Sequence, residues 1–148
     1  MNSATLAKCE ILKGLSPDER KLFFPLAETE SFKTGDRIYL QDTPAEKVYV
    51  LDQGSVALKT VLPAGLEISF QVLERKGTPF GWPALVEPYR LFTSAVCLEN
   101  TRVISFQREA LFNLFEQYPL LGYKVYRNLC ALVARRLIRT RQLVAGQL

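Results

Sequence analysis

Few side chains in this 148-residue chain could take part in catalysis or metal binding. The chain has no histidine. It therefore cannot build a Ser-His-Asp or Cys-His catalytic site, an HExxH zinc site or a His-ligated centre of the kind found in cupin enzymes. Three cysteines, Cys9, Cys97 and Cys130, are widely spaced without a CxxC pair, which indicates neither a zinc site nor a disulfide framework. We expect a binding protein rather than an enzyme, with Cys97 and Cys130 as small core residues.

The basic residues are concentrated at the C-terminal end of the chain. Residues 117–148 carry six basic side chains and no acidic one, whereas residues 1–116 carry 13 basic and 15 acidic side chains. The net charge of +4 is therefore a property of the last segment.

The N-terminal segment has the features of two helices. Residues 4–13 are expected to form the first, which ends at Gly14. Ser16 as N-cap, Pro17 at the first helical position and Glu19 three residues after the cap predict the start of the second, which is expected to run to about Ala27.

Residues 30–106 have the pattern of many short strands. Segments rich in Val, Ile, Tyr and Phe alternate with turn signals such as Thr34-Gly35-Asp36 and Asp52-Gln53-Gly54. This pattern predicts one antiparallel sandwich or barrel.

After residue 106 the hydrophobic period changes to that of a helix. Residues 108–117 are predicted to form a short amphipathic helix, and Pro119 marks the start of a long one that reaches about residue 144. Its expected polar side carries Lys124, Asn128, Arg135, Arg139 and Gln142. The other side carries Tyr126, Leu129, Val133, Leu137 and Val144, and is interrupted by Arg136.

Three segments together resemble the cyclic-nucleotide-binding domain family, in particular the effector domains of catabolite activator (Crp-Fnr) proteins. They are 35-GDRIYLQDTPAEKVYVLDQGSVALKT-60, 77-GTPFGWPALVEPYRLFTSAV-96 and 108-REALFNLFEQYPLLGYKVYRNLCALVARRL-137. The resemblance implies a mainly β fold, a double-stranded β-helix or jelly-roll barrel with flanking helices. One domain is expected over residues 1–148, with N-terminal helices in 1–29, the barrel in 30–106 and C-terminal helices in 107–148.

Residues 77–96 occupy the place of that family's phosphate-binding cassette. The ligand-binding residues that the resemblance implies are Phe80, Gly81, Trp82, Ala84, Leu85, Arg90, Thr93 and Ser94. In such a cassette a glycine lets the backbone approach the ligand, and the amides of the following helical turn point at an anion. Because Pro83 has no amide proton, those amides would come from Ala84 and Leu85.

The cassette departs from the cyclic AMP-binding pattern at two positions. Trp82 stands where such members carry a Glu for the ribose, and an indole cannot accept that hydrogen bond. The position of the phosphate-binding Arg falls at Leu91, Phe92 or Thr93, and Arg90 lies just upstream. Loss of that Arg would cost several kcal/mol, so we expect a non-standard small ligand, such as another anion, or an empty site.

Several side chains have alternative interpretations. Trp82 is either an aromatic wall for a ligand or a plug that fills the site, and Arg90 is either a phosphate contact or a solvated loop charge. Thr93 and Ser94 either donate to a ligand or bond to strand backbone. The basic side of the last helix is either the solvated back of a dimerisation helix or a surface for nucleic acid or an acidic partner.

The resemblance implies a regulatory module that signals through its C-terminal helix. We expect a homodimer formed through that helix, with a further protein partner. One alternative is a genuine cyclic AMP or cyclic GMP receptor domain of a transcriptional regulator that uses Arg90. Others are a cupin-like barrel enzyme and a DNA-binding protein that uses its basic helix.

The remaining expectations concern location and further domains. Transcription factors of this family continue into a helix-turn-helix domain, and the sequence stops at Leu148, so no DNA-binding domain is expected. No stretch reaches the roughly 18 apolar residues of a membrane span, and the N-terminus lacks a signal-peptide pattern. The expected location is the cytoplasm.

Overall fold

The computed structural model describes residues 2–146, so Met1, Gln147 and Leu148 of the expected 1–148 range lie outside the described residues. Its α-helices are α1 (Asn2–Ala7), α2 (Pro17–Lys21), α3 (Arg108–Gln117) and α4 (Pro119–Ala145). Short 3₁₀ helices cover Glu10–Leu12, Phe24–Leu26 and Trp82–Leu85. The strands are β1 (Glu28–Phe32), β2 (Arg37–Tyr39), β3 (Lys47–Gln53), β4 (Val56–Val61), β5 (Glu67–Leu73), β6 (Pro79–Phe80), β7 (Ser94–Cys97) and β8 (Thr101–Gln107).

The strands form two four-stranded antiparallel sheets, with strand orders β1-β8-β3-β6 and β2-β7-β4-β5. Strands distant in sequence are neighbours in each sheet, as in a jelly roll. The predicted jelly-roll fold is confirmed, although the two sheets stay separate and do not close into one barrel.

Strand β3 is buried on both of its faces. Val48 and Val50 pack in a cluster that includes residues of the helices, whereas Tyr49 and Leu51 belong to a second cluster between the sheets. Because successive side chains of a strand point to opposite faces, both sets of alternating positions must be apolar here. This accounts for the continuous hydrophobic run VYVL in the sequence.

The N-terminal helices are shorter than predicted. The first ends at Ala7 and is followed by a separate 3₁₀ turn, and α2 ends at Lys21 rather than near Ala27. The predicted capping box is present, since the Ser16 hydroxyl accepts from the Glu19 amide at 3.1 Å and the Glu19 carboxylate accepts from the Ser16 amide at 2.9 Å. Pro25, which lacks an amide proton, prevents a regular helix from continuing to Ala27.

Helix α4 follows its predicted bounds closely but packs differently toward its end. Its buried residues are Leu121, Gly122, Val125, Leu129 and Leu132. The prediction that Leu137 and Val144 pack on the core side is wrong, because their exposures are 67% and 59%. Among the described residues no α4 side chain after Leu132 is buried, so the helix ends beyond the core it covers. Within residues 2–146, no helix combines the length and apolar character that a membrane crossing requires.

The polar side of α4 contacts the N-terminal helices. The Lys124 ammonium lies 3.1 Å from the Glu19 carboxylate, and the Arg135 guanidinium lies 2.6 Å from that of Glu10. Asn128 donates from its side-chain amide to two backbone carbonyls of residues 11 and 13. Lys124 and Asn128 are thus partly buried, contrary to the expected solvated face, whereas Arg135 stays exposed at 60%.

Candidate functional site

A cavity of about 300 Å³ lies between the cassette segment, residues 77–96, and helix α4. Strands β2, β4 and β5 contribute one side, the cassette a second, and α4 a third. Its lining residues are Tyr39, Leu58, Phe70, Gln71, Phe80, Gly81, Trp82, Pro83, Leu91, Phe92, Thr93, Val133, Arg136, Leu137 and Thr140. The cavity is in the size range of small-molecule sites.

Gly81 sets the direction of the cassette. Its φ is +69°, a left-handed conformation that side chains other than glycine rarely adopt. A Cβ atom there would also lie 2.8 Å from the Tyr49 ring. The chain therefore turns sharply at Gly81 from β6 into the 3₁₀ helix that starts at Trp82.

Ala84 and Leu85 are the cassette residues whose amides were predicted to face an anion. The Ala84 amide donates to the Gly81 carbonyl at 3.2 Å, which closes the turn. Ala84 and Leu85 are buried, with exposures of 0% and 3%, and neither lines the cavity. The Ala84 amide is thus already bonded within the chain, and the oriented-amide site predicted from Ala84 and Leu85 stays a prediction.

Trp82 forms part of the cavity wall. Its indole is 8% exposed and meets the Phe92 ring edge to face, with centroids 5.5 Å apart. A cavity remains beside the indole, so Trp82 borders the space rather than filling it.

Arg90 lies outside the cavity. Its side chain is exposed and donates to the Asp42 backbone carbonyl, and its backbone pairs with Pro44. The neighbouring Ser94 is buried, and its hydroxyl accepts from the Gln41 amide at 2.9 Å. Of the predicted ligand residues, the structure places Phe80, Gly81, Trp82 and Thr93 in the cavity wall.

The polar groups of the cavity gather around Tyr39. Burial raises the pKa of Tyr39, although Thr93, Arg136 and the Gly81 backbone lie close enough to act in the opposite direction. A phenol with a raised pKa stays protonated at neutral pH and can donate a hydrogen bond. Tyr39 and Thr93 therefore supply hydroxyl groups beside the Arg136 charge.

Arg136 supplies the cavity's positive charge from α4. Burial holds the pKa of its guanidinium below the ordinary value, with the charges of Arg139 and Arg135 acting in the same direction and Tyr39 and Glu10 acting against it. It forms no ion pair with the carboxylates of residues 2–146. The sequence places Arg136 on the apolar side of the helix, where no role was predicted for it. A charged residue on an otherwise apolar side was the signal that could have identified it as a site residue.

A second, more polar cleft of about 430 Å³ adjoins the cavity between α4 and strand β5. The two spaces share Phe70, Gln71, Arg136 and Thr140. The charged residues along the cleft are Glu10, Glu74, Arg75, Arg135, Arg136 and Arg139. Four cations therefore face two carboxylates, and Arg136 stands between this basic cleft and the apolar cavity.

The cysteines lie apart from the cavity. Burial raises the pKa of Cys9 to about 12 and also raises the pKa of Cys97. Cys130 is exposed, so the expectation that it is a core residue is wrong. No group of three or more His, Cys, Asp or Glu side chains in residues 2–146 is arranged to hold a metal ion.

Known proteins with similar sequences include regulators and enzymes. The chain is 29% identical over 127 residues to the cyclic AMP receptor protein of Thermus thermophilus, covering 86% of this chain and 56% of that protein. It is 30% identical over 135 residues to glutaminase 1 of Bradyrhizobium diazoefficiens, covering 90% of this chain and 21% of the enzyme. The chain thus spans about half of the first relative and about a fifth of the second.

A solved structure has a similar fold over nearly the whole chain. A cyclic nucleotide-binding domain from Methylobacillus flagellatus superposes with a TM-score of 0.89 at 16% identity, covering 99% of this chain and 84% of that one. The family model for the cyclic nucleotide-binding domain matches residues 29–118, which include both sheets and helix α3. The chain belongs to the cyclic nucleotide-binding domain family.

Proposed function

We propose that this regulatory domain binds a small ligand other than cyclic AMP or cyclic GMP in the cavity between the cassette and α4. The observation that carries the proposal is the position of the positive charge. Arg136, on α4, is the basic residue of the cavity wall, and the cassette contributes none.

The cassette supports this reading through two side chains. A cyclic nucleotide presents ribose hydroxyls and an anionic phosphate, which call for a hydrogen-bond acceptor and a cation. Trp82 offers no acceptor for the ribose, and the exposed Arg90 is bonded to the Asp42 carbonyl. A phosphate buried against the cassette would lack its cation at a cost of several kcal/mol.

Helix α4 is the element through which we propose that the domain signals. Val133, Arg136 and Leu137 of this helix belong to the cavity wall, so a ligand contacts α4 directly. A ligand with higher affinity for one position of the helix shifts the population toward that position. The exposed end of α4 can then change its contacts with a partner.

We also propose that α4 pairs with its copy in a homodimer. Tyr123, Cys130, Leu137 and Val144 recur every seven residues and are all exposed. We name these four residues the α4 stripe. An exposed heptad stripe of this kind matches one position of a two-stranded coiled coil.

We propose that the domain binds its ligand and does not catalyse a reaction. The chain lacks histidine, and its similarity to the glutaminase covers only 21% of that enzyme. We further propose a cytoplasmic location, since the three cysteines are free within the described fold.

The test begins with small molecules that co-purify with the native protein, identified by mass spectrometry, and with calorimetric titration of cyclic AMP and cyclic GMP. We expect a co-purifying small molecule and no micromolar binding of either cyclic nucleotide. Val133→Phe, which adds a ring inside the cavity wall, should lower the amount retained. Ala131→Phe, on the exposed side of the same helix, serves as the matched control.

Two results would contradict the proposal. A 1:1 complex with cyclic AMP or cyclic GMP at micromolar Kd, lost in Arg90→Ala, would instead establish a cyclic nucleotide receptor. Equal retention of a co-purifying molecule by wild type and Val133→Phe would place its site outside the cavity.

A further inference from the structure

Arg136 is a half-buried cation at the edge of an apolar space. The cavity wall beside it is formed mainly by apolar side chains, which include Leu58, Phe80, Trp82, Leu91, Phe92 and Val133. Within residues 2–146 no carboxylate lies in ion-pair distance of its guanidinium. A charge withdrawn from water without a partner is unfavourable, so an anion entering here gains a strong interaction.

The charged residues of the cleft that adjoins the cavity also favour an anion. Arg75, Arg135 and Arg139 line the cleft that adjoins the cavity, together with Arg136. Glu10, one of the two carboxylates there, is paired with Arg135 at 2.6 Å. The positive excess attracts anions toward the cavity and disfavours cations.

The aromatic lining of the cavity favours an apolar ligand body. Trp82 and Phe92 present a pair of aromatic rings with centroids 5.5 Å apart, and the fully buried Phe80 side chain adds a third ring to the lining. Aromatic groups pack well against such rings in offset or edge-to-face arrangements.

Resting on the proposed function, we infer that the ligand is an apolar monocarboxylate, with an aromatic or aliphatic body in the cavity and its carboxylate on Arg136. Tyr39 and Thr93 belong to the same lining as Arg136 and add two hydroxyl groups to it. The anion anchor is therefore on the long helix and not in the cassette.

The number of charges distinguishes a carboxylate from a phosphate. A guanidinium presents two parallel N–H donors that match one carboxylate and neutralise its single charge. A phosphate monoester carries close to two negative charges at neutral pH. Since Arg136 is the one cation of the cavity lining, a phosphate there would keep a charge unpaired among apolar side chains.

The inference can be tested with 4-phenylbutyrate and its neutral amide, 4-phenylbutyramide. Trp82 is the only tryptophan of the chain and borders the cavity, so its fluorescence reports occupancy directly. At neutral pH we expect the wild-type protein to bind the acid about tenfold or more tightly than the amide. Arg136→Gln should bind both equally, at the level of the amide, and Arg136→Lys should recover part of the preference.

Arg141→Gln is the matched control, because Arg141 lies on the same helix, is exposed and lines neither the cavity nor the cleft. It should keep the preference for the acid. Equal binding of acid and amide by the wild type, or a preference that survives in Arg136→Gln, would overturn the carboxylate assignment and leave the cavity as a ligand site. No binding of either probe, together with no co-purifying molecule, would overturn the proposed function itself.

Discussion

Asp52 is a carboxylate, 8% exposed, that connects the N-terminal helix to the first sheet. It accepts hydrogen bonds from the Thr5 hydroxyl and, at 2.6 Å, from Arg102, and the Lys76 ammonium lies 3.6 Å away. Burial raises the pKa of Asp52, but the hydrogen bonds and the two cations outweigh burial, and the pKa is lowered from its ordinary value. The ionised form is therefore the one that stabilises the fold.

Asp52→Asn should lower the free energy of unfolding by about 1–3 kcal/mol at neutral pH, because the charge-assisted bonds are lost. A depressed pKa contributes stability that is present above the unfolded value of about 3.9 and is lost as the pH falls through the folded value. The difference between wild type and variant should thus narrow in acid. Urea titrations at several pH values measure it.

Glu99→Gln provides the comparison for Asp52→Asn. Glu99 is exposed and has no ion pair within the described chain, so this variant should follow the wild type at every pH. A constant difference between wild type and Asp52→Asn down to pH about 2 would show that the carboxylate charge is not responsible.

At the same scale, the sequence predicted some cavity residues and missed others for a physical reason. Gly81 and Trp82 belong to a continuous motif, so their place in the wall follows from local order. Tyr39 and Arg136 reach the cavity from elements distant in sequence, β2 and α4. Their meeting depends on how α4 crosses the sheets, which no local pattern specifies.

Among the elements, α4 is hydrogen-bonded to the N-terminal segment through the side chain of Asn128. Asn128 donates to the Ile11 carbonyl at 3.0 Å and to the Lys13 carbonyl at 2.8 Å. Asn128→Ala removes both bonds and leaves two backbone acceptors without this partner. We expect a loss of about 1–3 kcal/mol in the free energy of unfolding, and faster amide exchange in residues 10–13.

Gln142→Ala tests whether that effect is specific. Gln142 lies on the same helix, is exposed and has no side-chain hydrogen bond in the described residues. It should leave unfolding and exchange unchanged. Equal losses from the two alanine variants would contradict a specific role for the Asn128 hydrogen bonds, because helix propensity alone favours alanine at both positions.

The bounds of the elements were predictable where one local signal dominates. Pro119 and the apolar period predicted α4 almost to the residue, and the capping box predicted the start of α2. The ends of the N-terminal helices were not predictable. Ile11 and Leu12 are buried in the 3₁₀ turn after α1 and share a core cluster with Val48 and Val50 of β3, a tertiary contact that no local pattern specifies.

For the whole molecule, the proposed ligand site and the proposed dimer contact share one residue, Leu137. Leu137 lines the cavity and also belongs to the α4 stripe, where it is 67% exposed. A ligand that changes the packing of Leu137 on its cavity side therefore alters a residue that we propose contacts the partner. This direct sharing gives a physical route from the cavity to the dimer, since both events bias the position of the same helix.

The homodimer has a chemical test in Cys130, the cysteine of the α4 stripe. In a parallel two-fold pairing of α4, Cys130 lies opposite its copy, close enough for a disulfide after small adjustments. Mild oxidation should produce a species of twice the 16.8 kDa chain mass on a non-reducing gel. Cys130→Ser should abolish it, whereas Cys9→Ser and Cys97→Ser should not, because both residues are buried.

The position of the thiol on the helix separates a specific pairing from random collision. Gln142→Cys in the Cys130→Ser background moves an exposed thiol to a part of α4 outside the stripe. We expect little cross-linking from it, because coiled-coil pairing turns that face away from the seam. Equally fast cross-linking by the two proteins, or a monomer mass in light scattering before oxidation, would contradict pairing through α4. If the pairing holds, a ligand that alters Leu137 should also change the rate of the Cys130 cross-link.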